Sequence, residues 1–267
     1  MRACIGLLLL TYAAWAQEPT ADPKTHGDSR DLASAANDPT APVTSLMFRP
    51  IYAPRVPLAG SGGSAFEFNP ALPLKTGKLL HLLKFTIPIV AVSPEPERAV
   101  GFGDFQFFDM LGMPTRIGKF GFGGTMVMPT ATSKSLGEGK WQAGPALGFI
   151  SGKVPNLLAG FVAQNPISFA GNKGRADVNG LSITPTLTYN LQKGWFFGLS
   201  DFDYQFNWHD GDDRLIPVGL QVGRVLMIGG KGLSLSLEGA YSVRHPTQIP
   251  YPKWLLALEA AIIIPPH

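Results

Sequence analysis

From residue 44 onward, apolar and polar positions alternate with a period of two, and turn residues interrupt the alternation at short intervals. The segment 233–243 is the clearest case. Leu233, Leu235, Leu237, Gly239, Tyr241 and Val243 hold one phase, and Ser234, Ser236, Glu238, Ala240 and Ser242 hold the other. Successive side chains of a strand point to opposite faces, so this pattern predicts a strand with one apolar and one polar face. Phe202, Tyr204, Phe206 and Trp208 alternate in the same way with Asp203, Gln205 and Asn207, the polar phase reaching back to Asp201. In 183–191, Ile183, Leu187, Tyr189 and Leu191 oppose Thr184, Thr186, Thr188 and Asn190; in 66–69, Phe66 and Phe68 oppose Glu67 and Asn69. Twelve such runs can be placed, near 44–52, 64–73, 80–92, 99–113, 117–129, 141–152, 156–166, 182–192, 195–209, 215–227, 233–245 and 254–264.

Alternation of this kind suits a half-buried strand of a soluble sandwich or a lipid-facing strand of a membrane barrel. Length separates the two. The runs are mostly 9 to 13 residues, whereas soluble strands average about 5 to 6 and a tilted membrane-crossing strand needs about 9 to 11. The connections also alternate. Those near 74–79, 114–116, 153–155, 193–194 and 228–232 are short, while those near 53–63, 93–98, 130–140, 167–181, 210–214 and 246–253 are mostly longer and polar. Trp141, Trp208, Tyr241 and Trp254 fall at the long-loop end, and Tyr189 and Trp195 flank the short turn at 193–194. Two aromatic girdles are expected where such rings meet lipid headgroups. The reading is an all-β, about twelve-stranded antiparallel up-and-down transmembrane β-barrel over 44–267, with short periplasmic turns and both termini periplasmic. A soluble periplasmic or secreted β-sandwich that binds ligands stays open as the alternative.

Composition agrees with an all-β chain. Of 267 residues, 45% are hydrophobic and 15% charged, with 31 Gly and 24 Pro, a content costly in helices. Residues 1–16 read as a signal peptide: basic Arg2, an apolar stretch from Ile5 to Trp15, and small Ala14 and Ala16 ahead of Gln17. Residues 17–43, rich in Asp, Ala, Thr, Ser and Pro without an apolar period, read as a disordered periplasmic arm. Cys4 lies within the signal, so the remainder has no thiol or disulfide chemistry. Without Arg2 the charged residues number 22 − 1 = 21 basic and 19 acidic. That balance excludes a nucleic-acid partner.

Several segments together resemble a bacterial outer-membrane transporter family, often mislabelled neuromedin U and related to the barrels of the meta-pathway of phenol degradation. They are NDPTAPVTSLMFRP at 37–50, GFGDFQFF at 101–108, LGEGKWQAGPALGFI at 136–150, QNPISFAG at 164–171, LTYNLQKGWFFGLSDF at 187–202 and IPVGLQVGRVL at 216–226. The resemblance implies a barrel in the cell outer membrane that passes small solutes, hydrophobic or aromatic ones among them. It implies as partners the outer-membrane lipid, small-molecule solutes and the barrel-insertion machinery. Barrels of this kind end on an aromatic residue, whereas this chain ends Ile264-Pro265-Pro266-His267.

Within the barrel reading, the polar phase supplies candidate lumen-lining residues: Arg49, Glu67, Asn69, Lys84, Asp104, Gln106, Asp201, Asp203, Gln205, Asn207, Gln221, Glu238, Arg244 and Glu259. Both signs of charge occur, so weak discrimination between small anions and cations is expected. Adjacent Phe107 and Phe108 must occupy both faces, which puts one ring inside; Phe108 is expected there, beside Asp104 and Gln106. Asp201 and Asp203 share a phase at a spacing suited to a cation or an acid pair. The run His209-Asp210-Gly211-Asp212-Asp213 is acidic but lacks a full calcium-loop spacing. Arg224 falls on the apolar phase beside Val222 and Leu226 and is expected at the periplasmic interface. Ser242 and His245 lie three apart, on opposite faces of a strand, and no G-x-S-x-G occurs. The expectation is therefore a protein that is not an enzyme and needs no cofactor or metal.

Overall fold

The computed structural model describes residues 43–76, 79–92, 98–208, 213–247 and 249–264. The expected signal peptide, nearly all of the arm, the 209–212 run and the terminal Pro265-Pro266-His267 lie outside these residues.

Fifteen strand segments form one sheet: β1 (Thr44–Val56), β2 (Ser61–Thr76), β3 (Leu79–Val92), β4 (Ala99–Phe102), β5 (Phe105–Pro114), β6 (Lys119–Met128), β7 (Lys140–Ser151), β8 (Leu157–Gln164), β9 (Ile167–Gly171), β10 (Gly180–Asn190), β11 (Trp195–Leu199), β12 (Tyr204–Asn207), β13 (Arg214–Ile228), β14 (Lys231–Arg244) and β15 (Trp254–Ile264). β4 with β5, β8 with β9, and β11 with β12 are each one wall strand interrupted once, because β3, β7 and β10 pair with both halves. Twelve wall strands result. Each pairs antiparallel with its sequence neighbour, and β1 with β15 closes the ring from Thr44↔Ile264 to Tyr52↔Leu256. A single closed sheet replaces the two packed layers of a sandwich, so the soluble sandwich alternative falls.

The short turns form for local reasons. Gly229 (φ 55°) and Gly230 (φ 78°) join Ile228 to its partner Lys231, and such a two-residue hairpin needs positive φ at both central positions. Lys193 (φ 59°) and Gly194 (φ 77°) turn the chain between β10 and β11 in the same region of backbone space. One expected long connection is instead tight. β1 and β2 extend to Val56↔Ser61, so 53–63 shrinks to a turn at 57–60 with positive φ at Leu58 and Gly60.

The two phases separate as outer and inner faces. Val222, Leu237 and Leu258 stand opposite one another on β13, β14 and β15, and all three are exposed. Phe120, Phe122, Leu147 and Phe161 continue the exposed apolar surface on β6 to β8. A soluble monomer rarely exposes so much contiguous apolar surface; lipid accommodates it. Tyr189 packs on Phe197 at the short-turn end, and Tyr241 meets Trp254 edge-on, centroids 4.8 Å apart, at the other end. Arg224 lies beside the 192–194 turn: its Nε donates to the Lys193 carbonyl and its guanidinium sits 5.4 Å from the Trp195 ring centroid.

Candidate functional site

The inner face is densest around one irregularity, the break between β11 and β12. Thr188 pairs with Gly198 and Ile183 with Tyr204, so the four residues 184–187 of β10 oppose the five residues 199–203. On the other side Leu199 pairs with Leu220 and Gln205 with Leu215, so 200–204 oppose 216–219, again five against four. The wall strand therefore carries one extra residue relative to both neighbours, which makes it a bulge. One added residue shifts the side-chain phase by one. Phe196 points inward before the bulge, and within it Ser200, Asp201, Phe202 and Asp203 are all buried. Phe202, expected on the outer phase with Tyr204, points inward instead, 2% exposed.

Around this bulge the inner wall assembles a polar network. Asp203 accepts hydrogen bonds from Ser182 Oγ at 2.7 Å and from Thr184 Oγ1, on β10. The Asp201 backbone N–H donates to Glu238 Oε2 at 3.0 Å, and Gln221 Nε2 reaches Asp201 Oδ1 at 3.4 Å. Arg49, on β1, donates from Nη2 to the same Glu238 oxygen at 2.9 Å, and its guanidinium carbon lies 4.7 Å from the Phe202 ring centroid. Asn69 Nδ2 donates to Glu67 at 3.3 Å and Thr86 donates to Asn69 at 2.8 Å. Lys84 completes the set, buried on β3 with Glu67, Glu259 and Asp203 among its electrostatic neighbours. One carboxylate oxygen each from Asp201, Glu238 and Glu259 lies within 4.8 Å of the others. Arg49, Glu67, Glu238 and Phe202 are 0 to 2% exposed, so packed side chains, not a wide water-filled bore, occupy the interior at this level.

A second inward group lies on β5 to β8. Phe108 is inside, in an apolar cluster with Met110, Ala146, Ile150, Leu158 and Val162. It does not border Asp104 as expected. Asp104 sits between β4 and β5 at the rim, where its two oxygens accept the Ala131 and Glu138 N–H groups and hold the 129–139 loop. Gln106 Nε2 donates to Thr125 at 2.9 Å and to Gln164 at 3.1 Å.

Of the remaining expected residues, Gln205 is half-buried opposite Ser182, and Asn207 bonds Asp213 at 3.2 Å near the rim. Arg244 ends β14 exposed at the rim, away from the ionic network, because the strand runs out of the wall there. Ser242 Oγ donates to the Pro252 carbonyl, while His245 Nδ1 lies 3.1 Å from its neighbour's carbonyl, so no Ser–His pair forms between them. Gln142 and Gln164, buried on β7 and β8, were not singled out in the sequence. Their signal was weak: single amides on the phase opposite Trp141 and Leu147, in runs otherwise filled by Gly and Ala.

No protein-family model and no curated protein sequence matches the chain. Among solved structures it is similar to the COG4313 outer membrane channel from Pseudomonas putida F1, with a TM-score of 0.61 at 13% identity over 83% of this chain and 94% of that one. Outer membrane phospholipase A from Escherichia coli also aligns, over 83% of this chain and 95% of that one at 12% identity, with a TM-score of 0.39. At such identities the first likeness shows the shared fold, a closed outer-membrane-type barrel.

Proposed function

We propose that the chain is a channel of the cell outer membrane for small solutes, favouring hydrophobic or aromatic ones over sugars of similar size, and that the conformation described is a closed one. The observation that carries this reading is a buried ionic network inside a barrel whose outside suits lipid. Replacing a buried ion pair by well-packed apolar groups is often neutral or stabilising, so a barrel serving only as a wall plug gains nothing from one. A permeation path does use fixed charges and hydrogen-bonding groups along its length. The fold shared with a known channel supports the same reading. Arg49, Glu238 and Phe202 form the obstruction, and displacing the Phe202 ring would open the path beside them. The apolar cluster around Phe108 and Met110 is buried in the closed conformation and would line the path of an aromatic solute once it opens. The reading is of transport without catalysis. Membrane lipid, permeant solutes and the barrel-insertion machinery are its partners.

Swelling of proteoliposomes containing the purified barrel tests it. Phenol-like solutes are expected to enter severalfold faster than sugars of similar size, and Phe108→Ala to narrow that ratio. Equal rates unaffected by Phe108→Ala would remove the aromatic preference. Neither swelling nor bilayer conductance would remove the channel.

A further inference from the structure

The interior network holds more negative charge than its ion pairs account for. Among the described residues, Glu67, Asp201, Asp203, Glu238 and Glu259 face Arg49 and Lys84, an excess of 5 − 2 = 3 carboxylates. Ionised carboxylates away from water are costly without a counter-charge. Asp203 has two hydroxyl donors of its own. Glu238 is different: Oε2 takes both the Arg49 guanidinium and the Asp201 N–H, while Oε1 is fully buried and accepts no hydrogen bond. That open oxygen belongs to a carboxylate that is 1% exposed, and one oxygen of the same carboxylate lies within 4.8 Å of an oxygen each of Asp201 and Glu259.

The oxygen spacing accommodates one ion. Oxygens bound to one calcium-sized ion at about 2.3–2.6 Å can stand no more than about 5 Å apart. Oxygens of Asp201, Glu238 and Glu259 meet that limit, all lying within 4.8 Å of one another.

We propose that Asp201, Glu238 and Glu259 hold one divalent cation of the hard, oxygen-seeking class inside the barrel. The ion offsets two of the three excess charges. It also ties the bulge between β11 and β12, where the ladder is interrupted, to β14 and β15. The site goes beyond the channel reading and does not require conduction.

The test uses the full barrel, folded in detergent, stripped with EDTA and titrated calorimetrically with calcium chloride. One saturable calcium per barrel is expected, with a rise in the thermal midpoint. Affinity should fall at least tenfold in Glu259→Gln and stay unchanged in Asp177→Asn, an exposed carboxylate paired with Lys140 outside the network. Glu259→Gln leaves the Arg49–Glu238 pair in place, and heat-modified gel mobility reports its folding; Asp201→Asn serves if it does not fold. Absence of saturable binding by the folded wild type, or equal binding by the folded variant, overturns the proposal. Bilayer conductance of the same preparations separates the two readings. A barrel that conducts without binding calcium ends the cation site alone, and one that binds calcium without conducting ends the channel alone.

Discussion

Leu237 and Ser236 are neighbours in sequence with opposite surroundings: Leu237 is 53% exposed on the outer face at mid-strand, and Ser236 is buried on the inner face opposite Glu259. An arginine facing the bilayer midplane costs about 2 to 4 kcal/mol. Leu237→Arg is therefore expected to lower stability by about that amount in a reversible denaturant titration in lipid. Ser236→Arg should cost less, because its guanidinium would enter an interior with surplus carboxylates. Equal losses at the two positions would contradict the assigned faces. The parity of both residues was legible in the sequence. What Ser236 faces was not, since Glu259 comes beside it only when β14 pairs with β15.

The bulge between β11 and β12 belongs to the element and not to any one residue. Its trace is present in the sequence: Trp195 and Phe197 put the apolar phase on odd numbers, whereas Tyr204, Phe206 and Trp208 put it on even ones. A continuous strand cannot satisfy both phases, so one residue in between has to be extra. Which residue turns inward is not contained in that parity argument, and assigning Phe202 to the phase of Tyr204 led to the wrong face. Deleting Phe202 should give a strand in step with β10 and β13 along its whole length. The variant is expected to fold, to keep heat-modified mobility on gels, and to conduct severalfold more than wild type, because the ring under the Arg49 guanidinium is gone. A misfolded deletion variant would show that the bulge is needed for closure of the wall, and an unchanged conductance would show that Phe202 is not part of the obstruction.

For the whole molecule, a closed wall with apolar residues outside and ionic residues inside predicts where the protein resides. The full chain, expressed in a Gram-negative host, should sediment with outer membranes, require detergent for release, and shift in gel mobility on boiling. Recovery in the soluble periplasmic fraction would contradict the membrane reading. Expected charge behaviour also changes at this level. Arg244 is expected among the wall cations, which implies little preference between ions; with Arg244 at the rim, the network among the described residues sets Arg49 and Lys84 against five acids.

Strand number, the faces of regular strands and the short turns were readable in the sequence because each depends on local rules. A period of two marks a strand, and a Gly-Gly pair supports a tight hairpin. The ionic network was not readable. Arg49 and Glu238 are 189 residues apart and meet only because β1 closes on β15, while the bulge brings the Asp201 N–H to the same Glu238 oxygen and the Phe202 ring to the Arg49 guanidinium. Ring closure converts a list of inward polar residues into particular partners. Strand shift and tilt set those partnerships, and they are properties of the completed wall.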